Sequence, residues 1–160
     1  MKRLSVIFAP VLLTGLLSIA VVAAHAVSTR NSTLSGFQTA TSESDGVAIV
    51  IDAAGDLPGM GKITVKRDGN NITGGTWTLT VLPANADASA SERGMLSGTI
   101  SGGTLSFNSN GTLSGASSVQ LTIASGTGEH ANVSAGTGVI NLSSDAESPS
   151  KLNGTLVLNF

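Results

Sequence analysis

The chain has 160 residues, with 8 Lys and Arg against 10 Asp and Glu, 20 Gly, 4 Pro and no Cys. One domain is the expectation at this length, and 41% hydrophobic content with 11% charge argues against a disordered chain. A formal net charge of −2 gives no cationic footprint for nucleic acid, and the lack of Cys excludes disulfides, thiolate metal sites, iron–sulfur clusters and cysteine catalysis.

The first segment carries Lys2 and Arg3, then an apolar run over residues 4–24. Positive charge, an apolar stretch and a small-residue exit make a secretory signal peptide. Ala24-His25-Ala26 fits the small-x-small cleavage pattern, so the expected cut lies between Ala26 and Val27; a cut after Ala24 is the near alternative. The other reading is an uncleaved anchor, since a run of about 21 residues can span a bilayer. Pro10 and Gly15 interrupt the run and favour cleavage. The mature part is then residues 27–160, one domain. An exported domain without Cys fits a bacterial periplasmic or secreted protein, which needs no disulfide framework at this size. Membrane contact is expected only through the signal segment.

Beyond the signal the elements are short. Residues 33–41 around Phe37 read as a first strand. Residues 46–52, with Val47, Ile49, Val50 and Ile51, are apolar on both faces and read as a covered strand. Three glycines and Pro58 make 53–61 a loop. Residues 62–67 alternate, Ile63 and Val65 against Lys62, Thr64 and Lys66, as a half-buried strand does. Asp68-Gly69-Asn70-Asn71 is turn chemistry. The return strand, 72–82, sets Trp77, Leu79 and Val81 against Thr76, Thr78 and Thr80. Residues 83–94 read as a surface loop. Short strands follow at 95–100 and 104–108, separated by a turn at Ser101-Gly102-Gly103 and closed by a turn at Ser109-Asn110-Gly111. Residues 112–124 hold a further strand with Val119, Leu121 and Ile123 in phase, and 125–135 is polar. Strands at 136–143 and 152–160 complete the chain around a loop with Pro149.

No helical period survives after the signal. The fold class is therefore all-β, about eight short antiparallel strands closing into a barrel, with a β-sandwich as the alternative. An apolar last strand implies pairing with an early one, which removes both edges. Gly-Thr-Leu/Ile recurs at Gly98, Gly103, Gly111 and Gly154 without a fixed period, so a solenoid is disfavoured.

Residues able to carry chemistry are few. Gly126-Thr127-Gly128-Glu129-His130-Ala131 matches the dinucleotide pattern in letters only, because no helix can follow it. His130 is the sole His beyond the signal, and no G-x-S-x-G elbow exists. Asp45, Asp52 and Asp56 lack calcium-loop spacing. No cofactor and no metal is expected. Trp77 and Phe107 belong to a core, but in a barrel the core face is also the face that lines a cavity. Glu92 and Arg93 read as a rim pair or as a pocket acid and base. Candidate ligand-binding residues are therefore Trp77, Phe107, Glu92, Arg93 and His130. Six Asn-x-Ser/Thr sequons occur, at Asn31, Asn71, Asn110, Asn132, Asn141 and Asn153.

Ile123-Ala124-Ser125-Gly126-Thr127-Gly128, followed by Gly136-Thr137-Gly138, resembles the glycine pattern of allene oxide cyclase and dirigent-like barrels. Gly74-Gly75-Thr76-Trp77 and residues 92–111 are similar to small exported bacterial proteins of that look. The resemblance implies an eight-stranded antiparallel barrel with an apolar cavity, in families that guide cyclisation or radical coupling and often oligomerise. Glu129-His130 stands where those families carry an aromatic, and none of their catalytic carboxylates or arginine maps onto this chain. The leading expectation is an exported barrel of no identifiable catalytic activity that binds a small apolar ligand or serves as an envelope or extracellular accessory protein. The alternatives are a cavity enzyme of the cyclase or isomerase type, with a buried carboxylate or Arg beside Trp77, and a structural or adhesive surface module.

Overall fold

A computed structural model describes residues 27–42, 46–83, 93–109, 111–145, 147, 148 and 150–160. The expected signal segment up to Ala26, together with Asp45, Glu92 and Asn110, lies outside the described residues. Eight strands run in chain order: β1 (Thr29–Ser42), β2 (Gly46–Gly55), β3 (Gly59–Asp68), β4 (Asn71–Val81), β5 (Gly94–Thr104), β6 (Ala116–Thr127), β7 (Gly136–Ser144) and β8 (Lys151–Asn159). Each pairs antiparallel with the next, and β8 returns to β1, closing the barrel. The sandwich alternative is thereby set aside.

The alternation seen in the sequence places the side chains. Val47, Ile49 and Ile51 of β2, Ile63 and Val65 of β3, Trp77 and Leu79 of β4, and Leu156 and Leu158 of β8 are all buried inside. Their neighbours on the same strands point outward and are mostly Ser, Thr, Asn or Lys. An eight-stranded barrel is just wide enough for such side chains to fill. Burying each contributes roughly 1.5–3 kcal/mol. Apolar-in and polar-out is the reverse of a lipid-facing barrel wall.

Several expected boundaries change. The loop expected at 53–61 shrinks to residues 56–58, because β2 and β3 extend through Ala53↔Gly59 pairing. Residues 46–52 are covered on one face only: Val50 points outward, half-buried opposite Phe37. Ser101-Gly102-Gly103 is no turn. It lies inside β5, where the register against β6 shifts between Ile100 and Gly102. Gly103 has φ 125°, a conformation only Gly adopts without strain, so β5 bends there and continues. The strand expected at 104–108 is a cover instead.

That cover closes one end of the barrel. Leu105 and Leu113 are fully buried beneath it, and Phe107 bridges to Leu113. The Leu105 amide donates to the Asn70 carbonyl at 2.8 Å. Gln38 of β1 ties the cover down from across the opening: its Nε2 donates to the Gly111 carbonyl at 3.2 Å, and its Oε1 accepts from the Leu113 amide at 2.9 Å. The other end is stopped by Leu57, whose amide donates to Ser32 Oγ at 3.1 Å, and by Phe160 and Val133 packed against the core. The segment leading into β1 meets the residue after β8 there, Ser28 and Phe160 exchanging backbone hydrogen bonds at 2.8 and 3.1 Å.

Candidate functional site

The residues singled out from sequence do not converge. Trp77 is buried, and its Nε1–H donates to the Thr122 carbonyl across β5 at 3.0 Å. Phe107 lies at the covered end, half-buried, with the Arg67 guanidinium 4.2 Å from its ring centroid. That cation–π contact holds Arg67 while its Nη1 donates to the Gly69 carbonyl at 2.8 Å. The Arg67 Nε is buried with no partner among the described residues.

His130 and Arg93 are at the opposite end. His130 closes a 3-10 turn, Gly128–His130, and meets Phe160 edge-on with ring centroids 6.1 Å apart. Arg93 is exposed, and its backbone carbonyl lies against Gly128. Burial of the His130 ring lowers its pKa below the usual imidazole value; Glu129 pulls it up and Arg30 adds to the lowering. Its Nε2 is buried without a hydrogen bond among the described residues. Trp77 and Phe107 therefore stand apart from His130 and Arg93.

The interior offers no ionisable group beside Trp77: the buried polar residues among those described are Ser32 and Ser117. The grooves lie on the outer wall instead. One of about 390 Å³ runs over β8, β1 and β2, lined by Thr33, Ala54, Thr155 and Val157 among others. A second of about 560 Å³ covers β6 to β8 and shares Thr155 with the first. A third of about 260 Å³ lies over β5 to β7, beside Val139.

Strand pairing explains this wall. Thr64, Thr76, Thr99, Thr122 and Thr137 stand side by side on β3 to β7. The hydroxyls of Thr99 and Thr122 are 2.6 Å apart, and those of Ser97 and Ser125 2.9 Å. A parallel row runs Ser118, Asn141, Thr155 and Thr33 on β6, β7, β8 and β1. Short side chains in rows leave troughs between them. On β4 to β8 and β1 the outward positions carry one charge, Lys151. The other exposed charges on the strands are Arg30 near the start of β1, Asp52 of β2 beside Ser35, and Lys62, Lys66 and Asp68 on β3.

One residue of this wall escaped the sequence reading. Phe37, on β1, is 53% exposed, opposite Val50 of β2 and Lys151 of β8. Its phase in β1 was the available signal: it shares parity with Asn31, Thr33 and Ser35, all outward. Comparison of the chain with protein-family models, with curated proteins and with solved structures gives no match.

Proposed function

We propose that this protein is an exported β-barrel without catalytic activity of its own, acting as an envelope or extracellular accessory protein through its outer wall. The observation that carries the reading is the separation of its two faces. The inward side chains are aliphatic, with Trp77 satisfied by backbone, and the grooves open outward among hydroxyls and carboxamides. Catalysis by the cyclase route needs a carboxylate or Arg poised in a dry pocket. Here Arg93 is exposed, and His130 faces Phe160 at the barrel rim. The closed eight-stranded wall agrees with the allene oxide cyclase and dirigent-like resemblance, which enters this proposal for the wall and not for the chemistry. The 390 Å³ outer groove adds apolar contacts from Val157, Ala54 and the Thr methyl groups beside its hydroxyls.

The N-terminal segment supports export. Expressing the full gene in a bacterial host and sequencing the N-terminus of the protein in each fraction tests it. Val27 is the expected first residue, in the periplasm or medium; an intact Met1 in cytoplasm or membrane refutes export. Turnover of any substrate by the purified protein that is lost in His130→Ala or Arg93→Ala refutes the non-catalytic part.

A further inference from the structure

We propose that the outer strip over β8, β1 and β2 is a binding site for a neutral saccharide chain, with Phe37 as its stacking platform. The proposal deepens the reading of the outer wall as the working surface and rests on it.

Three observations converge. First, the strip is long and continuous. Asn31, Thr33, Ser35 and Phe37 stand outward along β1, a span of about 20 Å at strand rise. Asn153 and Thr155 of β8 lie opposite Ser35 and Thr33, and the two larger grooves meet at Thr155. A chain of several sugar rings fits that length.

Second, the chemistry is that of a partner bearing hydroxyls and no charge. Hydroxyl and carboxamide groups both donate and accept, as sugar hydroxyls do. Asn31 and Asn141 make no side-chain hydrogen bond to the protein among the described residues, so both amides are available. The charges along the strip are of both signs: Asp52 stands beside Ser35 and Asp56 accepts from the Asn31 amide, while Arg30 and Lys151 are exposed on β1 and β8, so a polymer of either charge meets repulsion and the carboxylates can accept from sugar hydroxyls. Lys151 also acts on Asp145, whose carboxyl is held below its ordinary pKa by the amides of Glu147 and Ser148 first and by Lys151 last.

Third, the exposed aromatic is out of place by packing alone. Phe107 and Phe160 pack against the core, whereas the Phe37 ring faces solvent. An aromatic face carries negative potential and attracts the C–H groups on the flat side of a sugar ring. An anchor of this kind beside polar groups that fix orientation is the usual make-up of a ligand site.

Affinity gel electrophoresis in soluble β-glucan, xylan and galactomannan tests the proposal, with alginate as the anionic counterpart. At least one neutral polymer is expected to retard the protein. Phe37→Ser and Asn141→Ala should each weaken retardation about three- to tenfold, Phe37→Tyr should keep it, and Met95→Ala on β5, across the barrel from β1, should leave it unchanged. Circular dichroism of each variant confirms the fold. No retardation in any of the three neutral gels, retardation by alginate alone, or equal retardation of the wild type and Phe37→Ser overturns it. If a polymer is retained and shortened, the saccharide site stands and the non-catalytic reading falls.

Discussion

Gly98 on β5 is the position where one added methyl group tests the packing most directly. It faces inward opposite Trp77. A Cβ there would run into the Thr122 carbonyl oxygen and come within 2.8 Å of Trp77 Nε1. Those are the two ends of the indole hydrogen bond. Gly98→Ala must therefore push β6 outward or displace the indole. Overpacking a filled interior costs about 1–3 kcal/mol, and the lost indole bond adds about 1 kcal/mol. The expected destabilisation is about 2–4 kcal/mol, large against a typical domain stability of about 5–15 kcal/mol. Urea unfolding followed by far-ultraviolet circular dichroism and by Trp77 emission measures it, and the folded variant should emit at longer wavelength. Trp77→Phe relieves the indole contact but leaves the carbonyl clash. The double variant should thus lose less than the sum of the singles, by about 0.5–1.5 kcal/mol. A change below about 0.5 kcal/mol in Gly98→Ala, or strict additivity of the pair, would refute the reasoning.

Gln38→Ala removes both side-chain bonds to the barrel cover, and the Leu113 amide should lose hydrogen-exchange protection by about tenfold or more while the β3 amides keep theirs. Leu79→Ala, at a fully buried position, should cost about 2–5 kcal/mol in the same urea assay, whereas Phe37→Ser should stay within about 0.5 kcal/mol of wild type because the ring is exposed. The lowered pKa of His130 means that the unfolded chain takes up this proton first as the pH falls. Stability should therefore decline as pH drops through about 6.5 and level off below the folded value, and His130→Gln should flatten that step in urea titrations between pH 8 and 5.

The barrel was legible because alternation is a strong signal when both phases are pure. Trp77, Leu79 and Val81 against Thr76, Thr78 and Thr80 fix face and period together, and an apolar strand ending at Phe160 requires a partner. The cover was not legible. Ser101-Gly102-Gly103 has the composition of a turn, and only the register of β6 beside it shows a bulge within a longer strand. Once β5 is lengthened, Leu105 and Leu113 must fold over the opening, and residues 104–108 cease to be a strand. The candidate site failed to gather for a related reason. Trp77, Phe107 and His130 were chosen for residue type, yet strand direction sends Phe107 and His130 to opposite ends of the barrel. The wall residues that do stand together, Thr33, Thr155 and Asn141, have nothing distinctive in sequence. Only the hydrogen-bonded register puts them side by side.

The mutual backbone bonds of Ser28 and Phe160 make the two borders of the barrel segment, just before β1 and just after β8, immediate neighbours. Sewing them together with a few residues and opening the ring at Gly69-Asn70 should give a circularly permuted protein with the same spectrum. The native connectivity also sets an order of events. Seven hairpin-like pairings can zip up from local encounters, but the seam between Thr29–Ser42 and Lys151–Asn159 joins residues up to 130 positions apart, as Thr29 and Asn159 are. That seam carries the largest loop-closure entropy, and it is where slow folding would be felt. A ribosome that has released all but residues 151–160 still holds an unsealed sheet with two sticky borders. The permutant moves this seam rather than removing it, because β3 and β4 become its terminal strands and must close over a similar separation, so its folding rate should stay near the parent's.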